Sequence, residues 1–449
     1  MNHSVNLTRR GFIRSAGAAV AAPIFLPSAG RAVPPSNRIH VAMIGTGNQG
    51  SQDTRAFLAE PDVQVVAVCD VNRASYGYKT DKQFLGREPV REMVEKHYAD
   101  QRRAGTFAGC DAYRDFREVL AREDVDVVAI VTPDHWHATM AIMAARAGKD
   151  IYCEKPLSLT VEEGRAMADA VRRHGVVLQT GSHHRSSPRL RFVCELARNG
   201  HLGRLKRMVA YVPGWNKAGP TGAWTPTPVP EGFDYDMWLG PAPWEPYHKD
   251  RCLYNFRFIL DYSGGQVTNT GAHSLDLVQW AHGTDRSGPV EVEDAGSEWP
   301  TDGLFNVATK VHFRGRYADG VELECVQTDE PLAFRLEGTE GFVQTGYWTS
   351  GLLCDPPSLR TATIGPGQIR LGTGTNHFRN FLDCVRSRRE PLAPAEVGHR
   401  SASLCHIGNI AMRLKRRLCW DPVAERFTND DAANRMLGRP YRAPWSLGG

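Results

Sequence analysis

Glu154-Lys155-Pro156 sets an amine beside a carboxylate just after a short apolar run, Asp150 to Cys153. A lysine so placed can donate to a hydroxyl or a developing alkoxide, and its pKa follows its surroundings. Thr132-Pro133-Asp134-His135-Trp136-His137 closes the preceding apolar run, Val125 to Val131. If the runs are parallel strands, both segments lie at their carboxyl ends, where open α/β sheets bind ligands. Gly45-Thr46-Gly47-Asn48-Gln49-Gly50 stands between another β-type run (38–44) and a helical pattern that continues through Leu58. Asp70 ends the next run, 20 residues after Gly50. That context suits a dinucleotide. The first glycine permits a tight turn, the second lets backbone approach a pyrophosphate, and the third lets helix pack on strand. The helix N-terminus offers N–H groups to phosphate. Asp70 would accept ribose hydroxyls and repel a 2′-phosphate, so NAD is expected, with NADP left possible by nearby Arg73.

The elements that must hold these residues alternate. Short apolar strands (38–44, 63–69, 125–131, 150–153 and 176–180) are separated by amphipathic helical patterns, with no strand signal between Asn72 and Ala112. Such alternation implies a doubly wound parallel sheet, a Rossmann domain over residues 33–184, in an α/β chain. Beyond residue 185 the character changes. Pro, Gly and Trp cluster between Pro213 and Pro246, and strand-like alternation recurs at 205–212, 307–313, 321–328 and 333–338. Strands without intervening helices imply a C-terminal α/β domain, 185–449, on an open, largely antiparallel sheet. Helical patterns at 377–388 and 399–415 close the chain and are placed to pack back on the first domain; a polar tail follows.

The chain has 449 residues, 41% apolar and 23% charged, which excludes a disordered chain, a collagen and a disulfide-packed miniprotein. Its net charge of +4 resides in Arg9, Arg10, Arg14 and Arg31, in a stretch without Asp, Glu or Lys. Without that stretch the balance is zero, which removes the electrostatic case for nucleic acid. Thr8-Arg9-Arg10-Gly11-Phe12-Ile13-Arg14 followed by the weakly apolar Ser15 to Leu26 has the form of a twin-arginine export signal over residues 1–32. The expected location is therefore the periplasm, with the twin-arginine machinery as a partner and no stable membrane insertion. The ten cysteines include no Cys-x-x-Cys pair and are expected to be mostly buried free thiols; no metal site is expected.

The glycine turn, the Thr132–His137 segment and Glu154-Lys155-Pro156 together resemble the Gfo/Idh/MocA family, named for glucose–fructose oxidoreductase and inositol dehydrogenase. The resemblance implies that Glu154 approaches the nicotinamide ribose and that Lys155 contacts the reacting hydroxyl and the nicotinamide side. Thr132, Pro133, His135 and His137 would line the cofactor with Gly45, Gly47, Asn48, Gln49, Gly50 and Asp70. The family's motif Asp-x-Gly-x-His-x-x-Asp is matched by Asn269-Thr270-Gly271-Ala272-His273-Ser274-Leu275-Asp276. His273 then stands for the proton-transferring histidine, or a donor to substrate, and Asn269 replaces the leading aspartate. Positions four apart share a helix face, so Asn269 is expected to orient His273 without supplying charge, leaving His273 less basic. A homodimer or homotetramer is implied by the resemblance alone.

His183, His184 and Arg185 follow the fifth strand and are candidate substrate contacts. Trp215, Trp224, Trp238 and Trp244 could stack on sugar rings or anchor loops, and Arg257, Asp261 and Tyr262 precede the histidine motif. The function these residues point to is an exported NAD(P)-dependent oxidoreductase acting on a secondary alcohol of a sugar or polyol. Outside the cytoplasm no pool of free nucleotide replaces a lost cofactor, so the nicotinamide is expected to be held tightly and recycled. One alternative is redox-neutral glycoside hydrolysis by oxidation, elimination, hydration and reduction. Another is a non-catalytic sugar- or nucleotide-binding protein, against which Lys155 and His273 stand.

Overall fold

A computed structural model describes residues 37–214, 223–348, 351–372 and 374–447. The twin-arginine segment and Trp215 lie outside the described residues. Among those described, no helix is long and apolar enough to cross a membrane.

The first sheet has six strands: β1 (Ile39–Ile44), β2 (Val63–Cys69), β3 (Asp111–Tyr113), β4 (Val127–Ile130), β5 (Asp150–Cys153) and β6 (Leu178–Thr180). They run parallel in the order β3-β2-β1-β4-β5-β6. Every residue of β2, β4 and β5 is buried, which is why these strands are continuous apolar runs rather than alternating ones. β3 is the strand the sequence concealed. It is three residues long, polar and partly exposed at the sheet edge, and leaves no hydrophobic pattern. The chain reverses its winding between β1 and β4, and that switch opens the crevice at their carboxyl ends.

The second sheet has nine strands in the order β13-β12-β11-β7-β10-β9-β8-β14-β15. Its members are β7 (Leu205–Pro213), β8 (Glu291–Asp294), β9 (His312–Arg316), β10 (Glu322–Thr328), β11 (Phe334–Gly338), β12 (Phe342–Thr345), β13 (Leu352–Asp355), β14 (Leu418–Asp421) and β15 (Arg426–Phe427). All neighbours are antiparallel except β7 and β10, which pair parallel. Helices Pro188–Arg198, Gly271–His282 and Ala395–Leu414 cover one face through a core that includes Leu275, Phe313, Leu323 and Ile407.

Helix His377–Ser387 returns to the first sheet, where Phe378, Phe381 and Leu382 join the core formed by Val41, Phe57 and Tyr152. The stretch after residue 415 is more than a polar tail. It supplies β14 and β15, and then Trp445 packs against Trp136 and Phe116 of the first domain. Arg439 and Tyr441 both bond to the buried Glu163 carboxylate, fixing the chain end there. Nine of the ten cysteines are buried free thiols.

Candidate active site

The switch-point crevice is the near end of one continuous cavity, running from Gly45, Gly47, Asn48, Gln49 and Asp70 past Thr132 and Pro133 to Glu154, Lys155, Asn269 and His273. Gly45 has φ 91°, and a Cβ there would stand 2.4 Å from the Val131 carbonyl oxygen. At Gly50 a Cβ would stand 2.0 Å from the Gly45 oxygen, so only glycine lets helix Asn48–Leu58 start this close to β1. Gly47 serves a second purpose here: its missing side chain makes room for the Tyr78 ring, whose edge a Cβ would meet at 2.8 Å. The helix begins without a side-chain cap, leaving its first N–H groups for a ligand.

Asp70 lines the cavity. Its Oδ2 accepts from the Thr46 backbone N–H (2.7 Å) and hydroxyl (3.0 Å), and its Oδ1 from the Asn72 N–H (2.8 Å). Burial pushes the carboxyl up, and these donors pull against it. Arg73 does not reach the cavity; the cations on this side are Lys79 and Arg114. The donor set fits a dinucleotide: a helix N-terminus without a side-chain cap, a glycine cradle at van der Waals limit, and a fixed carboxylate at the end of β2.

At the far end, Lys155 Nζ donates to both the backbone oxygen and Oδ1 of Asn269, each at 3.1 Å. Burial lowers its pKa from the ordinary 10.5, Glu154 opposes the shift, and Arg257 reinforces it. Asn269 therefore orients Lys155, not His273. Its helix ends at Asn269 and the next begins at Gly271, so the expected shared face does not form; its Nδ2 turns to Gln266 (2.8 Å). His273 is nonetheless weakly basic, because burial and then His184 and Lys155 drive its pKa well below the ordinary range. Its Nδ1 is buried without a partner.

His184 packs edge-on to His273 (4.6 Å between centroids) and stacks on Tyr347 (4.3 Å), and burial lowers its pKa to about 4. His183, its neighbour in the same turn, points the other way. Its Nε2 lies 3.0 Å from Glu154 Oε1 and 3.1 Å from the Tyr152 hydroxyl. Asp53 completes this cluster; burial and then the Glu154 charge push its carboxyl up to about 8.

Several expected contacts are made elsewhere. His135 is fully buried outside the cavity, its Nε2 2.9 Å from the Trp238 oxygen, and burial lowers its pKa to about 3. His137 spends both ring nitrogens on the carbonyls of Pro156 (2.8 Å) and Thr132 (3.0 Å), tying together the two loops that end β4 and β5. Arg185 is buried in a bidentate pair with Asp276 (2.7 and 2.8 Å) and a second pair with Asp285 (3.0 Å). It pins the His184 turn to the helix that carries His273. Trp238 borders the cavity, but its ring is packed against Tyr262 (4.8 Å) and His135 (5.3 Å). Trp224 covers Arg251, and Trp244 is exposed away from the cavity. Gly50 acts through packing and does not line the cavity.

Arg257 does line it, held by the Tyr254 carbonyl (2.7 Å) and ring (3.8 Å to the centroid). Tyr78, Asp134, Tyr347 and Trp348 are lining residues the sequence did not single out. Only Asp134 stood inside a recognised segment; the others come from stretches with no motif.

The model for the oxidoreductase family's NAD-binding Rossmann fold (GFO_IDH_MocA) matches residues 39–182, and that for its C-terminal α/β domain matches residues 192–447. The chain belongs to the Gfo/Idh/MocA oxidoreductase family. It is 32% identical to a glycosyl hydrolase family 109 protein of Shewanella baltica over 189 residues, 37% of this chain and 38% of that one. It is 36% identical to the levoglucosan dehydrogenase of Pseudarthrobacter phenanthrenivorans over 119 residues, 26% of this chain and 30% of that one. The chain thus matches about two-fifths or less of the length of these relatives. Among solved structures, the aldose–aldose oxidoreductase of Caulobacter crescentus complexed with glycerol aligns with a TM-score of 0.58 at 20% identity, covering 85% of this chain and 99% of that one. At that identity the likeness is one of fold.

Proposed function

We propose that this family member oxidises and reduces a secondary alcohol of a sugar or polyol, using a nicotinamide that it retains between turnovers. The observation that carries the reading is the Lys155 amine, held by Asn269 inside the same cavity that begins at the glycine turn. Bound NAD supplies the hydride acceptor, and its reduced form the donor. The helix N-terminus at Asn48 and Gln49 would hold the pyrophosphate, Asp70 the adenosine ribose, and Glu154 the nicotinamide ribose. Lys155, its pKa lowered by burial, takes the hydroxyl proton as the carbonyl forms and returns it in the reverse direction. His273 and His184, neutral at pH 7, accept or donate hydrogen bonds to neighbouring hydroxyls without competing for that proton. Substitution of Lys155 by alanine should abolish turnover while NAD still binds; unchanged turnover would remove Lys155 from the mechanism.

Two features support retention. Tyr78 lies over Gly47, and Gln83 donates to Asn48 (2.9 Å). The segments lining the cavity from the two parts of the chain are also bonded to each other, Arg73 N–H to the Gly232 oxygen (2.8 Å) and Asp234 N–H to the Val71 oxygen (3.1 Å). Export by the twin-arginine route to the periplasm belongs to the same proposal, as does assembly into a homodimer or homotetramer. Denaturing the purified protein should release about one NAD(H) per chain; an apo protein that exchanges free nucleotide sinks the retention idea.

The glycosyl hydrolase family 109 relatives favour a second reading, redox-neutral glycoside cleavage. A panel of sugars and aryl glycosides, followed by nicotinamide absorbance and aglycone release together, separates the two. Carbonyl product without aglycone supports the dehydrogenase, and aglycone release without net absorbance change supports the hydrolase.

A further inference from the structure

Among the described residues, the cations deep in the C-terminal domain are paired, and the two at the far end of the cavity are not. Arg185 has Asp276 and Asp285, and Arg251 has Glu245. Lys155 and Arg257, at the far end of the cavity, form no ion pair among the described residues. Both lean on Asn269 Oδ1, at 3.1 and 3.4 Å, a neutral acceptor where the family motif has an aspartate. Arg257 is otherwise held by the Tyr254 carbonyl and the faces of Tyr254 and Phe256.

The acids nearby are not bonded to either side-chain cation. Glu154 is engaged by His183 and by the Lys155 backbone N–H, and the Asp134 carboxyl is pushed up by burial. The imidazoles of His184 and His273 are neutral at pH 7 and add no negative charge. The Arg257 guanidinium thus has no carboxylate bonded to it among the described residues, and an unpaired guanidinium in a buried site is expensive unless a ligand completes it.

Resting on the proposed sugar oxidoreductase reading, we propose that the substrate is an acidic sugar whose anionic group, a carboxylate or a phosphate monoester, is received by Arg257. The guanidinium fork matches either anion, and the neutral Asn269 leaves that charge for the substrate rather than consuming it within the protein.

The test uses the NAD-loaded full chain at fixed ionic strength. Quenching of tryptophan fluorescence is titrated with glucuronate, galacturonate and gluconate, with glucose 6-phosphate, and with the neutral glucose, galactose and glucitol. At least one acidic sugar should bind roughly ten-fold or more tightly than its neutral parent. The carboxylate and phosphate arms identify which anion is preferred. Arg257→Met should collapse the preference with bound NAD unchanged, and Arg257→Lys should keep part of it. Neutral sugars that bind as tightly as their acids overturn this inference and leave the oxidoreductase reading intact. So does a preference that survives in Arg257→Met, or loss of NAD from that variant with the preference unaltered. If Arg257→Met fails to fold, the wild-type ratio and Arg257→Lys decide. If no sugar of either kind binds or turns over, both readings fall.

Discussion

At the glycine end of the cavity Asp70 accepts three hydrogen bonds from protein, Asn48 is bonded to Gln83, and Gln49 to Asp53. At the lysine end the His273 Nδ1 and one Asp134 oxygen are buried without partners among the described residues, where Lys155 and Arg257 also lack ion pairs. The first arrangement fixes a surface in advance. The second leaves hydrogen-bonding capacity open in a buried place, which a stable protein tolerates where a reacting molecule completes it. The same contrast appears between adjacent residues. Despite burial, Glu154 holds the His183 pKa up, while His184, with no acid beside it, is driven down to about 4.

Variants at each end should separate holding from chemistry. Lys155→Ala should lower kcat/KM by about a thousand-fold with NAD content unchanged on denaturation. If NAD is lost as well, the two ends are not independent. Gly50→Ala should do the reverse, because its Cβ would meet the Gly45 oxygen at 2.0 Å and force helix and strand apart. The expected result is loss of bound NAD and a lower unfolding temperature, with retention of both contradicting the packing role.

Asn269→Asp sharpens the comparison by placing a charge at the open end. A carboxylate beside the Lys155 amine favours its protonated form and raises its pKa, and alcohol oxidation needs the neutral amine. The rising limb of the oxidation pH profile should therefore move to higher pH by about one unit. A limb that stays in place would show that Lys155 is not the group titrating. The smallest effect is expected at Trp348, 78% exposed at the cavity and 5.4 Å from Tyr347. Trp348→Ala should raise KM by about ten-fold with kcat within about two-fold; a fall in kcat alone would place the ring in the chemistry instead.

The glycine turn, β1, β2, β4 and β5, Asp70 and Glu154-Lys155 were legible because each is a local pattern: an apolar run, a turn that tolerates only glycine, or a residue at a strand end. β3 was not, since a three-residue polar edge strand buries nothing periodic. The histidines misled for a related reason. His135, His137, His183 and His184 all lie next to strand ends, yet sequence proximity does not say which way an imidazole turns. Tertiary packing sends His135 to a carbonyl in the core, His137 to the two loop carbonyls, His183 to Glu154 and only His184 to the cavity.

The sequence by itself determined the two-sheet α/β architecture, the place of the nucleotide turn and the presence of a lysine at the end of β5, because local periodicity and backbone sterics suffice for these. Only the tertiary structure decided that Asn269, 114 residues from Lys155, holds the amine rather than His273, and that Arg257 and Trp348 face the same cavity. Those outcomes depend on where separate segments meet, which no local pattern encodes: a helix that breaks at Thr270 and a buried Arg185–Asp276 pair set the angles at which the side chains converge.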